Sequence, residues 1–416
     1  MTKQLRPYQS DGANDACTIL EEFGLVYLMW GVRTGKTATA LEVCRLFGAK
    51  NVLFLTKKKA ISSIQSDYDE FGYHNHFSIN IINDESMHKV VGDYDLIVHD
   101  ESHRFGQLGK PGGAVKLFKE MFYDKPQIYL SGTPSPESFS QLYHQFWVSR
   151  YSPWKDYRNF YAWAKEYINV RQKKINSFMV NDYSDGIENK IMGDIKHLCL
   201  TRTQEQSGFQ SVITEEVLHV KMSDVTYKLC KELLDKRVIE GKEEIILADT
   251  AAKLMQKIHQ LYSGTIKFES GNTKVLDTSK AEFIKERFAG KKIGIFYIFK
   301  AELDLLMSIF GKELLTTDID EFNSTDKNIA LQVVSGREGI SLKQADYLVF
   351  YNIHHSATSY WQARDRLTTL DRPSNEVFWI FSKGGIEDSI YKTVKQKKKF
   401  TVNIFNKIYG NNNIKI

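Results

Sequence analysis

Two short stretches of this chain carry the residue types that handle a phosphoanhydride. Gly31-Val32-Arg33-Thr34-Gly35-Lys36-Thr37 follows directly on the apolar run Leu25-Val26-Tyr27-Leu28-Met29-Trp30. The run predicts a buried strand, the glycines a tight turn, and Ala38, Ala40, Leu41 and Val43 a helix whose positive end faces that turn. Glycine lets backbone N–H groups close around phosphate oxygens, the lysine reaches the outer phosphates, and the Thr37 hydroxyl suits magnesium. ATP is therefore expected here, held by Gly31, Val32, Arg33, Thr34, Gly35, Lys36, Thr37 and Ala38. One departure stands out, because the strict pattern wants glycine six residues before the lysine and this chain has Trp30 there. A Gly-Lys turn that merely joins strand to helix is the alternative.

The second stretch is Val91 to Arg104, in which the apolar Leu96-Ile97-Val98 leads to two adjacent acids, Asp100 and Glu101. Ligands of an open parallel sheet gather at the carboxyl ends of its strands, so this strand would deliver both acids beside the phosphate loop. Asp100 would hold Mg²⁺, directly or through water, and Glu101 would orient and deprotonate the attacking water. The plainer alternative is a charged turn after a buried strand. His99 and His103 flank the acids without helical i, i+4 spacing or a third ligand, so neither is assigned to a metal.

A third run, Ile128-Tyr129-Leu130, ends in Ser131-Gly132-Thr133-Pro134. Taken in order, these motifs resemble the superfamily-two helicases and translocases of the Swi/Snf-like branch, in the compact form found in bacteriophages. Leu5-Arg6-Pro7-Tyr8-Gln9 resembles the adenine-reading Q motif, Asp100-Glu101-Ser102-His103 the DEAH-type box, and Ser131-Gly132-Thr133-Pro134 the motif coupling hydrolysis to DNA. Ser335-Gly336-Arg337-Glu338-Gly339-Ile340-Ser341-Leu342 is similar to motif V, and Gln362-Ala363-Arg364-Asp365-Arg366 to the opening of motif VI. Lys383 to Ile390 resembles the stretch that closes the second lobe, and the matches run from Leu5 to about Lys399.

The resemblance implies two RecA-like lobes with ATP and Mg²⁺ in the cleft between them and duplex, forked or branched DNA across their surface. It makes His103, Ser131, Thr133 and Gly339 coupling residues, and Lys57, Lys58, Phe299, Lys300 and Ser335 nucleic-acid contacts. Lys57-Lys58-Lys59 reads equally well as a solvated loop. Gln9 offers donor and acceptor on one amide fork, which suits the adenine edge, and Tyr8 or Arg6 could stack on the ring; its alternative role is helix capping. Motif VI normally carries two arginines three residues apart that reach the γ-phosphate, and here Arg366 fills the first place while Thr369 stands in the second. Arg372, one turn further on and followed by Pro373, is either a relocated finger or a helix cap.

The elements that must position these residues follow from run length and flanking turns. Val52-Leu55, Ile79-Ile82, Leu96-Val98 and Ile128-Leu130 predict strands in a first lobe. Ile293-Phe296, Ala330-Val334, Tyr347-Phe350 and Val377-Ile380 predict a second set. Such alternation with helical segments gives parallel sheets covered on both faces. The fold class is thus α/β with two parallel sheets, and the resemblance makes them RecA-like lobes in tandem, residues 1–205 in lobe one and 206–416 in lobe two, with a helical, aromatic-rich insertion between them.

Between the sheets the pattern turns helical, aromatic and basic from about residue 150, with Trp154, Tyr157, Phe160, Tyr161, Trp163 and Tyr167 among Arg150, Lys155, Arg158, Lys165, Arg171, Lys173 and Lys174. Such a mixture can stack bases, but Tyr157, Phe160, Tyr161, Ala164 and Ile168 share one helical face and core packing is favoured. Lys221 to Ile258 predicts a further helical stretch, and Phe268 to Lys274 an exposed turn or hairpin.

Composition constrains class more than chemistry. The chain has 416 residues, 42% of them hydrophobic, enough for two cores. Its net charge of +5 suits a phosphate-tracking groove without the excess of an architectural DNA binder. Cys17, Cys44, Cys199 and Cys230 lack paired spacing, which points to a reducing compartment and away from zinc or disulfides. No apolar run reaches membrane-spanning length and the first residues begin no signal peptide. A cytoplasmic monomer, in the host cytoplasm if viral, is expected. Two other functions share these features, namely a motor module of a restriction or defence complex and a nucleotide-gated DNA-binding protein with weak hydrolysis.

Overall fold

Strand β1 (Leu25–Trp30) is apolar along its whole length because it is covered on both faces, as a central parallel strand must be. The computed structural model describes residues 3–175, 178–208, 212–241, 244–333, 342–356, 360 and 374–396. The chain forms two compact units, Met1–Gln210 and Ser211–Ile416.

In the first unit helix α1 (Pro7–Phe23) ends at Gly24, whose left-handed φ of 72° turns the chain straight into β1. There follow α2 (Lys36–Leu46), β2 (Asn51–Thr56), α3 (Ile61–Glu70), β3 (Ser78–Asn83), β4 (Leu96–Asp100), α4 (Gly113–Phe122), β5 (Gln127–Leu130) and α5 (Leu142–Trp147). After α6 (Phe160–Tyr167) come β6 (Arg171–Ile175), β7 (Phe178–Asp182), α7 (Glu188–Ile195) and β8 (Cys199–Arg202). The sheet order is β3-β2-β4-β5-β1-β8, and every pairing is parallel. All these strands therefore end at one edge, which gathers Thr56, Asp100, Ser131 and the loop after Trp30.

The aromatic segment packs into the first unit. Trp154, Phe160, Trp163 and Tyr167 are buried in one cluster with Tyr27 and Tyr129 of the sheet and Phe146 of α5. Trp163 and Tyr167 stack with centroids 4.9 Å apart, and Asp194 accepts from the Trp154 indole N–H at 3.0 Å and the Tyr167 hydroxyl at 2.6 Å. Core packing is thus the fate of most of these rings, but the face was misread. Trp163 is inside while Tyr161 is 41% exposed, and Tyr157 precedes the helix. Nor does the helix continue to Lys174, because Arg171 to Asp182 form the antiparallel hairpin β6–β7. A run of long polar residues, Arg171-Gln172-Lys173-Lys174, gives no apolar alternation by which to read a strand.

The second unit contains β9 (Val212–Val220), α8 (Asp224–Lys236), β10 (Val238–Glu240), β11 (Ile245–Leu247), α9 (Ala251–Tyr262), β12 (Thr265–Lys267) and β13 (Thr273–Val275). Then come α10 (Ser279–Arg287), β14 (Ile293–Tyr297), α11 (Lys300–Phe310), β15 (Leu315–Thr316), α12 (Ile319–Ser324), β16 (Asn328–Gln332), β17 (Tyr347–Phe350), β18 (Ser374–Ser382) and α13 (Glu387–Lys395). Its main sheet, β15-β16-β14-β17-β18-β9, is also parallel throughout. The predicted helix from Lys221 to Ile258 is broken, since Arg237 takes a left-handed φ of 66° and β10 and β11 form a hairpin before α9 begins. The turn expected at Phe268 to Lys274 joins the hairpin strands β12 and β13.

A fully buried ion pair ties α10 to α13. Lys280 and Glu387 are both wholly inaccessible, their charged atoms lie 2.9 Å apart, and Lys280 also donates to the Tyr351 carbonyl at 3.1 Å. Removing one partner of such a pair strands the other charge in the core. Lys280→Met is expected to destabilise the second unit by roughly 3–5 kcal/mol, read from its denaturant midpoint; a midpoint unchanged from wild type would show that the pair does not hold the unit together.

Candidate functional site

The loop after β1 is built from two left-handed residues. Arg33 has φ 62° and Gly35 φ 82°, and a Cβ on Gly35 would lie 1.9 Å from the Gln9 amide nitrogen, so only glycine fits. Gly35 is the N-cap of α2, which leaves the first amides of that helix, from Lys36, Thr37 and Ala38, without helical acceptors. That is the donor set a phosphate group needs. Thr34 donates its hydroxyl to the Gly31 carbonyl at 2.8 Å, and Lys36 Nζ donates to the carbonyls of Trp30 at 3.1 Å and Gly31 at 2.9 Å. Burial pulls the Lys36 ammonium below the ordinary lysine value, against the pull of Glu101 and Asp100.

Trp30 explains the missing glycine. Its ring is buried against α1, where a Cβ on Gly12 would stand 2.5 Å from the indole. The tight approach has moved from the loop to the helix, and Gly31 begins the turn instead.

Strand β4 brings Asp100 and Glu101 to the same edge. Asp100 accepts from the Thr56 hydroxyl at 2.9 Å and from the Glu101 amide at 2.9 Å. Burial, then the neighbouring Glu101 charge, push its carboxyl above the ordinary range. Burial also acts to raise Glu101, but His103, with Lys36 and Lys57, outweighs it and favours the ionised form. Glu101 sits at φ 53°, a left-handed strain for a side-chain-bearing residue. The two acids thus stand in different environments, Asp100 against Thr56 and the Glu101 amide, Glu101 beside His103.

His103 Nδ1 lies 3.1 Å from Glu101 Oε2 and 3.0 Å from Ser131 Oγ, and Ser131 Oγ accepts from the Thr133 amide at 3.1 Å. A Cβ on Gly132 would reach Lys36 Nζ at 3.6 Å. His103 Nδ1 therefore faces both the acidic box and the turn after β5, with Ser131 its hydrogen-bond partner. His99 is elsewhere, buried among Phe105, Phe118 and Tyr129 with its imidazole held neutral by burial, at about 3.

Near the N-terminus, Gln9 is 6% exposed, with its oxygen accepting from the Arg6 amide at 2.9 Å and its nitrogen donating to the Gly35 carbonyl at 3.4 Å. Its contacts are those of the capping alternative, and they tie α1 to the loop. Tyr8 donates to the Thr34 carbonyl at 3.0 Å, and Arg6 to the Tyr8 hydroxyl at 3.2 Å.

Lys57 follows β2 and is half-buried, its charge felt by Glu101 and Asp84, while Lys58 is exposed. In the second unit Phe299 is half-buried at the end of β14 and Lys300 opens α11, exposed. Ser335, Gly339, Gln362, Arg366 and Arg372 lie outside the described residues.

Sequence reasoning missed Thr56 and Gln204. Thr56 was legible once β2 and β4 were paired, because Leu55 stands opposite His99 and the next pair is Thr56 with Asp100. Gln204 donates to the Val32 carbonyl at 3.0 Å, and the Arg202 guanidinium lies 5.1 Å from the Tyr8 ring and 5.4 Å from Trp30. No spacing signals a partner this far along the chain.

Magnesium and nucleotide fit these residues. Thr37 and Asp100 supply hard oxygen donors, and Mg²⁺ is commonly held by one or two such groups together with substrate phosphates. Among the described residues, no group of three or more His, Cys, Asp or Glu gathers as a self-sufficient metal site.

No family model matches the chain. It is 22% identical over 343 residues to the SWI/SNF-related matrix-associated actin-dependent regulator of chromatin subfamily A-like protein 1 of Xenopus tropicalis, an alignment covering 77% of this chain and 35% of that protein. The Xenopus laevis protein of the same name is 21% identical over 434 residues, 95% of this chain and 43% of that protein. The chain therefore spans well under half the length of the curated relatives it matches. Among solved structures, the Pyrococcus furiosus Hef helicase domain is similar at 16% identity with a TM-score of 0.50, over 94% of this chain and 98% of that one. The Sulfolobus solfataricus SWI2/SNF2 ATPase core in complex with dsDNA is similar at 16% identity and a TM-score of 0.44, over 99% and 94%. The likeness to the Hef domain carries the fold, two RecA-like lobes in tandem. No helix among the described residues is long and apolar enough to cross a membrane.

Proposed function

We propose that this chain is a nucleic-acid-stimulated ATPase of the Swi/Snf-like helicase and translocase kind, moving on duplex, forked or branched DNA. The observation that carries the reading is the single sheet edge shared by the loop from Gly31 to Lys36, the acids Asp100 and Glu101, and the His103–Ser131 contact.

The amides at the start of α2 and Lys36 hold the phosphates, while Thr37 and Asp100 hold Mg²⁺. Bound there, the ion would neutralise charge on the phosphate oxygens. Glu101 orients the attacking water and takes its proton, and His103, bridging Glu101 and Ser131, passes the state of that carboxylate to the turn carrying Thr133. Arg366 supplies the finger charge that the resemblance assigns to it. Lys57, Lys58, Phe299, Lys300 and Ser335 are proposed nucleic-acid contacts, and Gly339 a coupling residue. A compact bacteriophage-type remodeller of replication or recombination intermediates, working as a monomer, is the finer form of the same reading.

ATP turnover measured alone and with single-stranded, duplex, forked and four-way DNA tests it. Stimulation by at least one DNA form is expected, strongest with duplex-containing forms. Hydrolysis indifferent to every form would refute the reading, and no hydrolysis beside ATP-dependent DNA retention would leave the nucleotide-gated binder.

A further inference from the structure

The second sheet reverses its winding at β14, from which the chain passes to β15 and β16 on one side and to β17 and β18 on the other. The turns leaving β14 and β17 thus flank the point where open α/β sheets take their ligands. Between these turns lies a polar chain shut off from solvent, with Glu302 and Asn352 0% exposed and His259 1%.

Glu302 Oε2 accepts from the amides of Ile298 at 2.7 Å and Phe299 at 3.0 Å, and Oε1 accepts from Asn352 Nδ2 at 2.7 Å. A carboxylate needs a donor there, which fixes the Asn352 amide with its oxygen turned away. That oxygen accepts from the Ile353 amide at 2.8 Å and meets His259 Nε2 at 2.5 Å, so His259 must carry its proton on Nε2. Its Nδ1 is a buried acceptor with no partner among the described residues, and the ring stands edge-on to Phe299 at 5.3 Å and His355 at 4.9 Å.

Such a chain is a poor way to fill a core, because burying a carboxylate is costly and apolar side chains pack as well. What it does is join four segments: α9, the β14 turn, the start of α11 and the β17 turn. Glu302 holds the amides of Ile298 and Phe299, just before Lys300 opens α11, and is itself met by Asn352.

Building on the function proposed above, we propose that Asn352, acting through Glu302, is a positioning residue for nucleic acid, holding the Phe299–Lys300 turn in the form that lets DNA stimulate turnover. Hydrolysis in the absence of DNA does not depend on it.

Two single variants and their combination test this. Asn352→Asp sets carboxylate against carboxylate, and Glu302→Gln sets amide N–H against amide N–H. Together they rebuild the bond in the opposite sense, with Gln at 302 donating to Asp at 352, whose oxygen still accepts from His259 and Ile353. Each single variant is expected to raise the duplex DNA concentration for half-maximal ATPase stimulation about tenfold, the scale of one lost hydrogen bond to a buried charge. Turnover without DNA and the KM for ATP stay within about twofold, and the double variant returns toward wild type.

Folded single variants with unchanged DNA half-saturation would overturn the proposal, as would equal loss of basal and stimulated turnover. Should the single variants not fold, the double variant decides alone, since a folded double variant deaf to DNA refutes the positioning role. A wild-type protein whose turnover ignores DNA would instead bring down the functional reading, and this proposal with it.

Discussion

Glu101→Gln is expected to slow hydrolysis by about a hundredfold or more while ATP and DNA stay bound. The amide keeps the shape of the side chain but cannot take a proton from water. The left-handed backbone at φ 53° and the position 3.1 Å from His103 are kept, and what goes is the charge that His103, Lys36 and Lys57 face. Asp100→Asn is different in kind. Its carboxylate faces the Thr56 hydroxyl and the Glu101 amide, and its neutral replacement should weaken magnesium-dependent nucleotide binding before it slows the chemistry. Single-turnover hydrolysis beside equilibrium binding of ATP separates the two, and identical defects in both variants would show that the division of labour is misassigned.

Lys36→Ala should remove turnover altogether with the fold intact. The ammonium lies within the loop against two strand-end carbonyls, at 3.1 Å and 2.9 Å, rather than in the hydrophobic clusters, so its loss removes charge at the phosphates and little packing. ATPase rates and the thermal unfolding midpoint of the same preparation give the test. Near-normal hydrolysis by a folded variant would refute the site.

How far these residues could be read in advance depended on how each is held. The phosphate loop and the acids were legible because local sequence dictates them: an apolar run buried on both faces, glycine where the backbone turns left-handed, acids at a strand end. Strands β2, β4, β5, β14, β16, β17 and β18 were visible for the same reason, and the edge strand β3 by its isoleucines between polar turns. The edge strands β8 and β9 were not, since Cys199–Arg202 is only half-buried and Val212–Val220 mixes acids and a histidine among its apolar residues. The strand Arg171–Ile175 was hidden by its polar residues, whose pattern suits a helix as well as a strand. Contacts spanning the chain left no trace, Gln204 on the loop and His259 on Asn352 among them. Gln9 shows the limit from the other side: its amide fork suits a base or a cap, and only the neighbouring Arg6 and Gly35 distinguish which contacts it makes.

The indole of Trp30 seated over Gly12 has an evolutionary consequence. Reinstating glycine at position 30 to meet the strict loop pattern would empty an indole-sized space, a loss of about 3–5 kcal/mol by analogy with other large-to-small changes. Any side chain at position 12 would collide with the ring, standing 2.5 Å from it at the first carbon. Neither position can drift alone. Across relatives of this chain the two positions should covary, bulk at one matched by its absence at the other.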